Sequence, residues 1–184
     1  MARACVLLAE GFEEIEAITI ADVLRRAGVE AVLVGVAGTP VRGAHAIQVA
    51  ADALLSDAAA EDWDAVILPG GMPGSKNLAD SAPVRALLRE QHGRGRRVAA
   101  ICAAPIALSA AGVLEGKRAT CYPGFEKELR GASLETRAVV VDGNVTTSRG
   151  PGTAFEFALE LVSQLVGGKA AEDLRSGMLV PTAP

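Results

Sequence analysis

Aromatic side chains are almost absent from this chain, which has one Trp, one Tyr and four Phe in 184 residues. The core therefore has to be assembled from Ala, Val, Leu and Ile rather than around large rings. Histidine is equally scarce, limited to His45 and His92, and the only cysteines are Cys5, Cys102 and Cys121. Three thiols without CxxC spacing fit neither a disulfide framework nor a zinc site. The histidines lie far from the thiols and from each other in sequence, so no metal centre is expected. A basic excess is also missing. The formal net charge of −4 argues against a nucleic-acid groove, because neutralising phosphates requires a basic face. The short cluster "RGRRV" reads as a solvated strand start. No apolar run is long enough to span a bilayer, and the N-terminus runs into an apolar strand without signal-peptide features. The expected setting is the cytoplasm, with no membrane partner.

Half of the residues are apolar and 20 are glycine, enough for one sizeable core with many tight turns. Without repeats, linkers or low-complexity stretches, residues 1–184 read as a single domain. "RACVLLAEG" (3–11), "VEAVLVGVAG" (29–38), "WDAVILPGG" (63–71) and "RRVAAIC" (96–102) are apolar runs expected to be strands buried on both faces. Helices are expected over 12–28, about 75–91, 103–112 and 150–168. A hairpin at the sheet edge is expected over 41–52, a short strand over 117–123, and a hairpin over 137–148 turning at Asp142-Gly143-Asn144. Alternating strands and helices imply an α/β fold with a mostly parallel sheet covered by helices on both faces. Ligands in such a sheet bind beyond the C-terminal strand ends.

Cys102, in "RRVAAICAAP", stands where a core strand gives way to a helix. The amides of Ala103 and Ala104 open that helix, and a helix N-terminus favours an anion, which lowers a thiol's pKa toward the reactive thiolate. Its small neighbours suit the backbone geometry of a nucleophile elbow. The plain alternative is a buried filler, the reading that fits mid-strand Cys5 and also Cys121. "PGG" brings Gly70 and Gly71 to the same sheet edge, where glycine amides either donate to an oxyanion or simply form a turn. On the first helix Ala17, Ile20, Leu24 and Ala27 form an apolar stripe flanked by Val23, and Glu16 falls on it. A carboxyl at the lip of a core has a raised pKa. Periodicity does not separate Glu16 from Glu13, and both also suit the helix dipole. Ile15 and Ile18 point the other way, beside Asp22 and Arg25, and suggest self-association. Arg149 precedes the last helix, and Pro151 in "GPG" forms a rigid corner that can shape a pocket wall. His45 reads as a hairpin-edge residue and His92 as a helix-end residue.

Together "AEGFEEIEAITIADVLRRAG", "VILPGGMPGSKNL", "AAICAAP" and "TSRGPGTAFEFAL" resemble the ThiJ/PfpI superfamily, in the branch of the parkinsonism-associated protein deglycase and bacterial YajL-type proteins. The resemblance runs in order along essentially the whole chain. It implies a flavodoxin-like three-layer sandwich of class I glutamine amidotransferase-like type. It also implies a cofactor-free homodimer formed through the first helix. By position it makes Cys102 the reactive nucleophile, Glu16 the carboxylic acid that hydrogen-bonds it, and Gly71 and Ala103 the amide donors. It sets Arg26 near the partner's site. Two departures stand out. Tyr122 replaces the histidine of some relatives, and Ala103 stands where the protease-like branch has histidine directly after the cysteine. A Cys-His peptidase dyad is therefore unsupported. The implied substrates are reactive dicarbonyls or their early adducts with protein or nucleotide amines. A redox-sensing stress chaperone, whose Cys102 is oxidised to a sulfinate and whose client binding changes with it, is the rival reading, and an amidase or peptidase of the wider superfamily a third.

Overall fold

The computed structural model describes residues 1–181. β1 (Arg3–Leu8) leads into α1 (Glu14–Arg26) and β2 (Glu30–Gly35). Gly28, at φ 78°, makes the left-handed turn between helix and strand that a side chain would resist. β3 (Val41–Arg42), β4 (Gln48–Val49), β5 (Ala53–Leu54) and α2 (Leu55–Ala58) follow, then β6 (Ala65–Leu68), α3 (Gly74–Asp80), α4 (Ala82–Gly93), β7 (Arg97–Ile101) and α5 (Pro105–Ala110). The C-terminal third holds β8 (Arg118–Ala119), β9 (Ser133–Leu134), β10 (Val139–Asp142), β11 (Val145–Ser148), α6 (Ala154–Leu165) and α7 (Gly168–Gly177).

Seven strands form the central sheet in the order β10-β11-β7-β6-β1-β2-β5. Every pairing is parallel except the β10–β11 hairpin. Because successive strand residues face opposite sides, the apolar runs feed two cores at once. Ala4, Val6 and Leu8 of β1 join Ile67, Ala99 and Ile101 beneath α1 and α6. Cys5 and Leu7 join Val66, Leu68, Val98 and Ala100 beneath α4 and α5. This is the expected three-layer, flavodoxin-like arrangement.

Four details differ from the sequence expectation. The 41–52 hairpin is not part of the main sheet edge: β3 and β4 pair only with each other, and β5 alone reaches β2. The start of α1 captures the hairpin instead, through Gly11 N–H to the Arg42 carbonyl and Ala44 N–H to the Phe12 carbonyl, each 2.8 Å. The helical stretch after β6 divides at Ser81, whose hydroxyl accepts from the Val84 amide as an N-cap at 3.4 Å. The short strand expected over 117–123 spans only Arg118–Ala119, where it pairs with β9. The last helix of the sequence reading opens as a 3₁₀ turn at Pro151–Thr153, and a further helix, α7, follows it and rests against α6.

Candidate active site

β7 ends at Ile101, and the chain reverses at Cys102, whose φ of 65° is left-handed. A non-glycine residue held there costs about 1–3 kcal/mol of local strain, so the surroundings must impose it. They do so from two sides. The Cys102 amide donates to the Ser148 carbonyl at the end of β11 (3.0 Å), and its own carbonyl accepts from the Tyr122 amide (2.8 Å). The residue is 9% exposed. Gly70 makes room for it: a Cβ there would lie 2.5 Å from the Cys102 Cβ and 2.7 Å from the Glu16 Oε2. Gly71, at φ 90°, turns its amide toward the sulfur, and that amide and the Ala103 amide both hydrogen-bond it.

Glu16 comes to the same point from α1 and is completely buried. Its Oε2 accepts the Gly70 amide at 2.6 Å. The Cys102 thiol interacts with the same carboxyl, yet Oε1 has no well-formed hydrogen bond among the described residues. Burial drives the Glu16 carboxyl up to about 7. The Gly70 amide and the thiol oppose that rise, and the charge of Glu13 adds to it. The structure thus separates the two acids that periodicity left equivalent. Glu13 caps α1, its carboxylate accepting the Ile15 amide, while Glu16 faces the sulfur.

The expectation of a thiol lowered by helix amides needs correction. Burial, joined by the Glu16 charge, pushes Cys102 up to about 12, and the Gly71 and Ala103 amides pull it down only in part. A carboxyl and a thiol sharing one dry site resist ionising together, so the pair behaves as one unit holding one proton. With that proton on Glu16, the sulfur is a thiolate facing two amides and an acid.

The remaining residues singled out in the sequence are spread around this centre. Tyr122 is half-exposed, and its ring packs on Gly150. Pro151 opens the 3₁₀ turn beside Ser148, whose hydroxyl meets the Thr153 hydroxyl at 2.7 Å. Arg149 lines a separate hollow of about 70 Å³ with Cys121 and Glu126, and donates to the Thr136 carbonyl at 3.3 Å. Arg26 is paired with Asp22 at 2.6 Å. It lies ten helical residues, about 15 Å, from Glu16. Cys5 is buried in the core away from the site.

One grouping escaped sequence reading. Potential metal-ligand atoms of Glu13, Glu14 and His45 all lie within 4.8 Å of one another. The donors are already engaged, however. Glu14 accepts the His45 amide at 2.7 Å, the His45 Nδ1 at 2.9 Å and the Ile47 amide at 3.3 Å. The trio fastens the 41–49 hairpin onto α1. No signal in the sequence marks a pairing across 31 residues, because a loop closure leaves no periodicity.

A strained cysteine elbow at the carboxyl rim of a parallel sheet, faced by one buried carboxyl, defines a cysteine-centred flavodoxin-like domain. The chain belongs to the DJ-1/PfpI family, whose profile matches residues 2–164. It is 43% identical over 180 residues to protein dj-1beta of Drosophila melanogaster, covering 96% of each chain. The crystal structure of Drosophila melanogaster DJ-1beta superposes with a TM-score of 0.95 at 42% identity, covering 98% of this chain and 99% of the other. The glutathione-independent glyoxalase DJR-1.2 of Caenorhabditis elegans is 37% identical over 167 residues, covering 90% of this chain and 89% of its own. Among the described residues no helix is long and apolar enough to cross a membrane.

Proposed function

We propose that the protein is a cofactor-independent cysteine enzyme that converts reactive dicarbonyls such as methylglyoxal to lactate and releases amines from their early adducts. The observation that carries this reading is the Glu16 carboxyl, raised to about 7 and facing the Cys102 thiol in a dry site. An acid with that pKa gives up and takes back a proton near neutrality, as enediol chemistry requires. The glyoxalase name of the nematode relative belongs to that protein and lends support by kinship.

The thiolate form of Cys102 adds to the aldehyde carbon. A C–S bond forms, the carbonyl π pair moves to oxygen, and Glu16 protonates that oxygen to give a hemithioacetal. The Gly71 and Ala103 amides stabilise the oxyanion on the way. Glu16, now a carboxylate, removes the proton from the sulfur-bearing carbon and returns it to the neighbouring carbon through an enediol. The product is a lactoyl thioester, which water opens to lactate and the free thiol. Methylglyoxal plus water equals lactate, so the sequence needs no external oxidant or reductant. With an amine adduct, the thiolate displaces the amine at the same carbon: the C–S bond forms as the C–N bond breaks, and protonated Glu16 gives its proton to the departing nitrogen, leaving the same hemithioacetal. The Tyr122 hydroxyl supplies a hydrogen-bond donor, and the proton transfers fall to Glu16.

The working unit under this reading is a homodimer. Ile15 (58% exposed) and Ile18 on α1 lie outside the core, and Ile47 of the adjoining hairpin and Phe155 of α6 are also exposed. Such side chains call for cover by a second copy.

The test is lactate formation from methylglyoxal. Wild type is expected to turn over and Cys102→Ser to be inactive. The redox-sensor reading draws on the Oε1 of Glu16, which has no well-formed partner and can donate to a sulfinate oxygen when protonated. Mild peroxide that changes client binding, in a protein forming no lactate, would favour it over the enzyme. Release of ammonia from an unglycated amide would favour the amidase.

A further inference from the structure

A groove of about 650 Å³ opens between α3, α5 and the loop 124–130, a size that suits a small-molecule site. Neither Cys102 nor Glu16 lines it, yet three of its walls begin at their site. Met72 follows Gly71, whose amide donates to the Cys102 sulfur. Ile106 of α5 stands four residues after Cys102 in the chain, and Gly124 lies two residues past Tyr122, whose amide donates to the Cys102 carbonyl. The groove thus adjoins the site along the chain in three places, at Gly71–Met72, between Cys102 and Ile106, and between Tyr122 and Gly124.

Its lining says what ligand it suits. Met72, Ile106 and Phe125 supply an apolar floor. Glu128 and Arg130 flank the buried Leu129, and neither side chain makes an ion pair or hydrogen bond among the described residues. On the opposite rim Lys76 and Asp80 neutralise each other at 2.5 Å. One free carboxylate and one free guanidinium over an apolar floor match a ligand with an ammonium, a carboxylate and an apolar body.

We propose that this groove binds an amino acid or short peptide with free termini, and that it seats the amine portion of a glycated substrate whose adduct carbon reaches Cys102. The peptide assignment stands on the groove alone. Its link to Cys102 rests on the dicarbonyl reading above.

The probe is leucylglycine, titrated calorimetrically into the full protein beside its N-acetylated, C-amidated form. The free dipeptide is expected to bind at least tenfold tighter than the capped one. Two variants at exposed positions test the site: Arg130→Glu reverses the guanidinium, and Ala110→Trp fills the groove from the end of α5. Each should weaken leucylglycine binding at least tenfold while kcat/KM for free methylglyoxal stays within twofold. The KM for methylglyoxal pre-equilibrated with leucylglycine should rise in both. No binding at millimolar peptide, equal binding of capped and free forms, or unchanged binding in both variants overturns the peptide site. Peptide binding with an unmoved adduct KM overturns its link to Cys102. Should wild type fail to turn over methylglyoxal, the dicarbonyl reading falls and the calorimetry still decides the groove.

Discussion

Glu14 and Glu16 sit two residues apart on one helix, both covered by protein, and their carboxyls shift in opposite directions. Burial pushes both upward. At Glu14 it is outweighed by the His45 ring and by the amides of Glu14, His45 and Ile47, which hold the carboxyl below its ordinary value. At Glu16 one amide and a thiol are too few, and the carboxyl stays near 7. Depth contributes as well, since Glu14 lies under a thin hairpin and Glu16 between α1 and the sheet. The difference shows that depth and donor count act together: a shallow acid met by a ring and three amides is held low, and a deep one met by a single amide and a thiol is driven up.

Substitution and pH act differently on the two acids. The largest effect is expected from Glu16→Gln, which keeps the shape and removes the proton: lactate formation should fall about 10²–10⁴-fold. The same substitution at Glu14 should change turnover less than tenfold. Equal losses in both variants, measured by kcat, would mean that the two acids do not differ in role.

Next comes pH. Glu16 has a folded pKa of about 7 against an ordinary value of 4.5, so its protonated form is the one that folding favours. Its contribution is fully present below the unfolded pKa and is lost as pH rises toward 7, a swing of up to about 3 kcal/mol. Urea unfolding between pH 4.5 and 8 should show wild type losing stability relative to Glu16→Gln. Parallel curves would mean the carboxyl is not held protonated.

Gly70→Ala should follow, at about 1–3 kcal/mol, because its methyl group would collide with both Cys102 and Glu16. Turnover should drop with it, read by thermal melting and lactate assay together. The smallest effect is expected from His45→Ala. His45 is raised mainly by its hydrogen bond to Glu14, so the ion pair is present below its folded pKa and fades as pH climbs through it. Amide exchange at residues 43–47 should quicken in the variant, and in wild type only on the alkaline side. Exchange that is fast at every pH would show that the hairpin is not fastened there.

Much of this architecture was legible before any coordinates. Double-sided apolar strands announced a covered parallel sheet, and "AAICAAP" marked a thiol at its carboxyl rim. "PGG" placed glycines where Gly70 now accommodates Cys102. The division between Glu13 and Glu16 was not legible, because both occupy the same helical face and only the docking of α1 against Gly70 separates them. The hairpin's attachment was missed for a related reason: its partners are long-range and carry no period. The break at Ser81 was hidden by good helix formers on either side, and α7 by its largely polar surface.

Local pattern therefore determined which segments became strands and helices, and which ends of them met, because burial periodicity and turn chemistry act within a few residues. The ionisation of Cys102 and Glu16 was decided only by the tertiary structure. A pKa depends on the water excluded and the donors supplied by segments tens of residues away, and those distances exist only after the chain has closed.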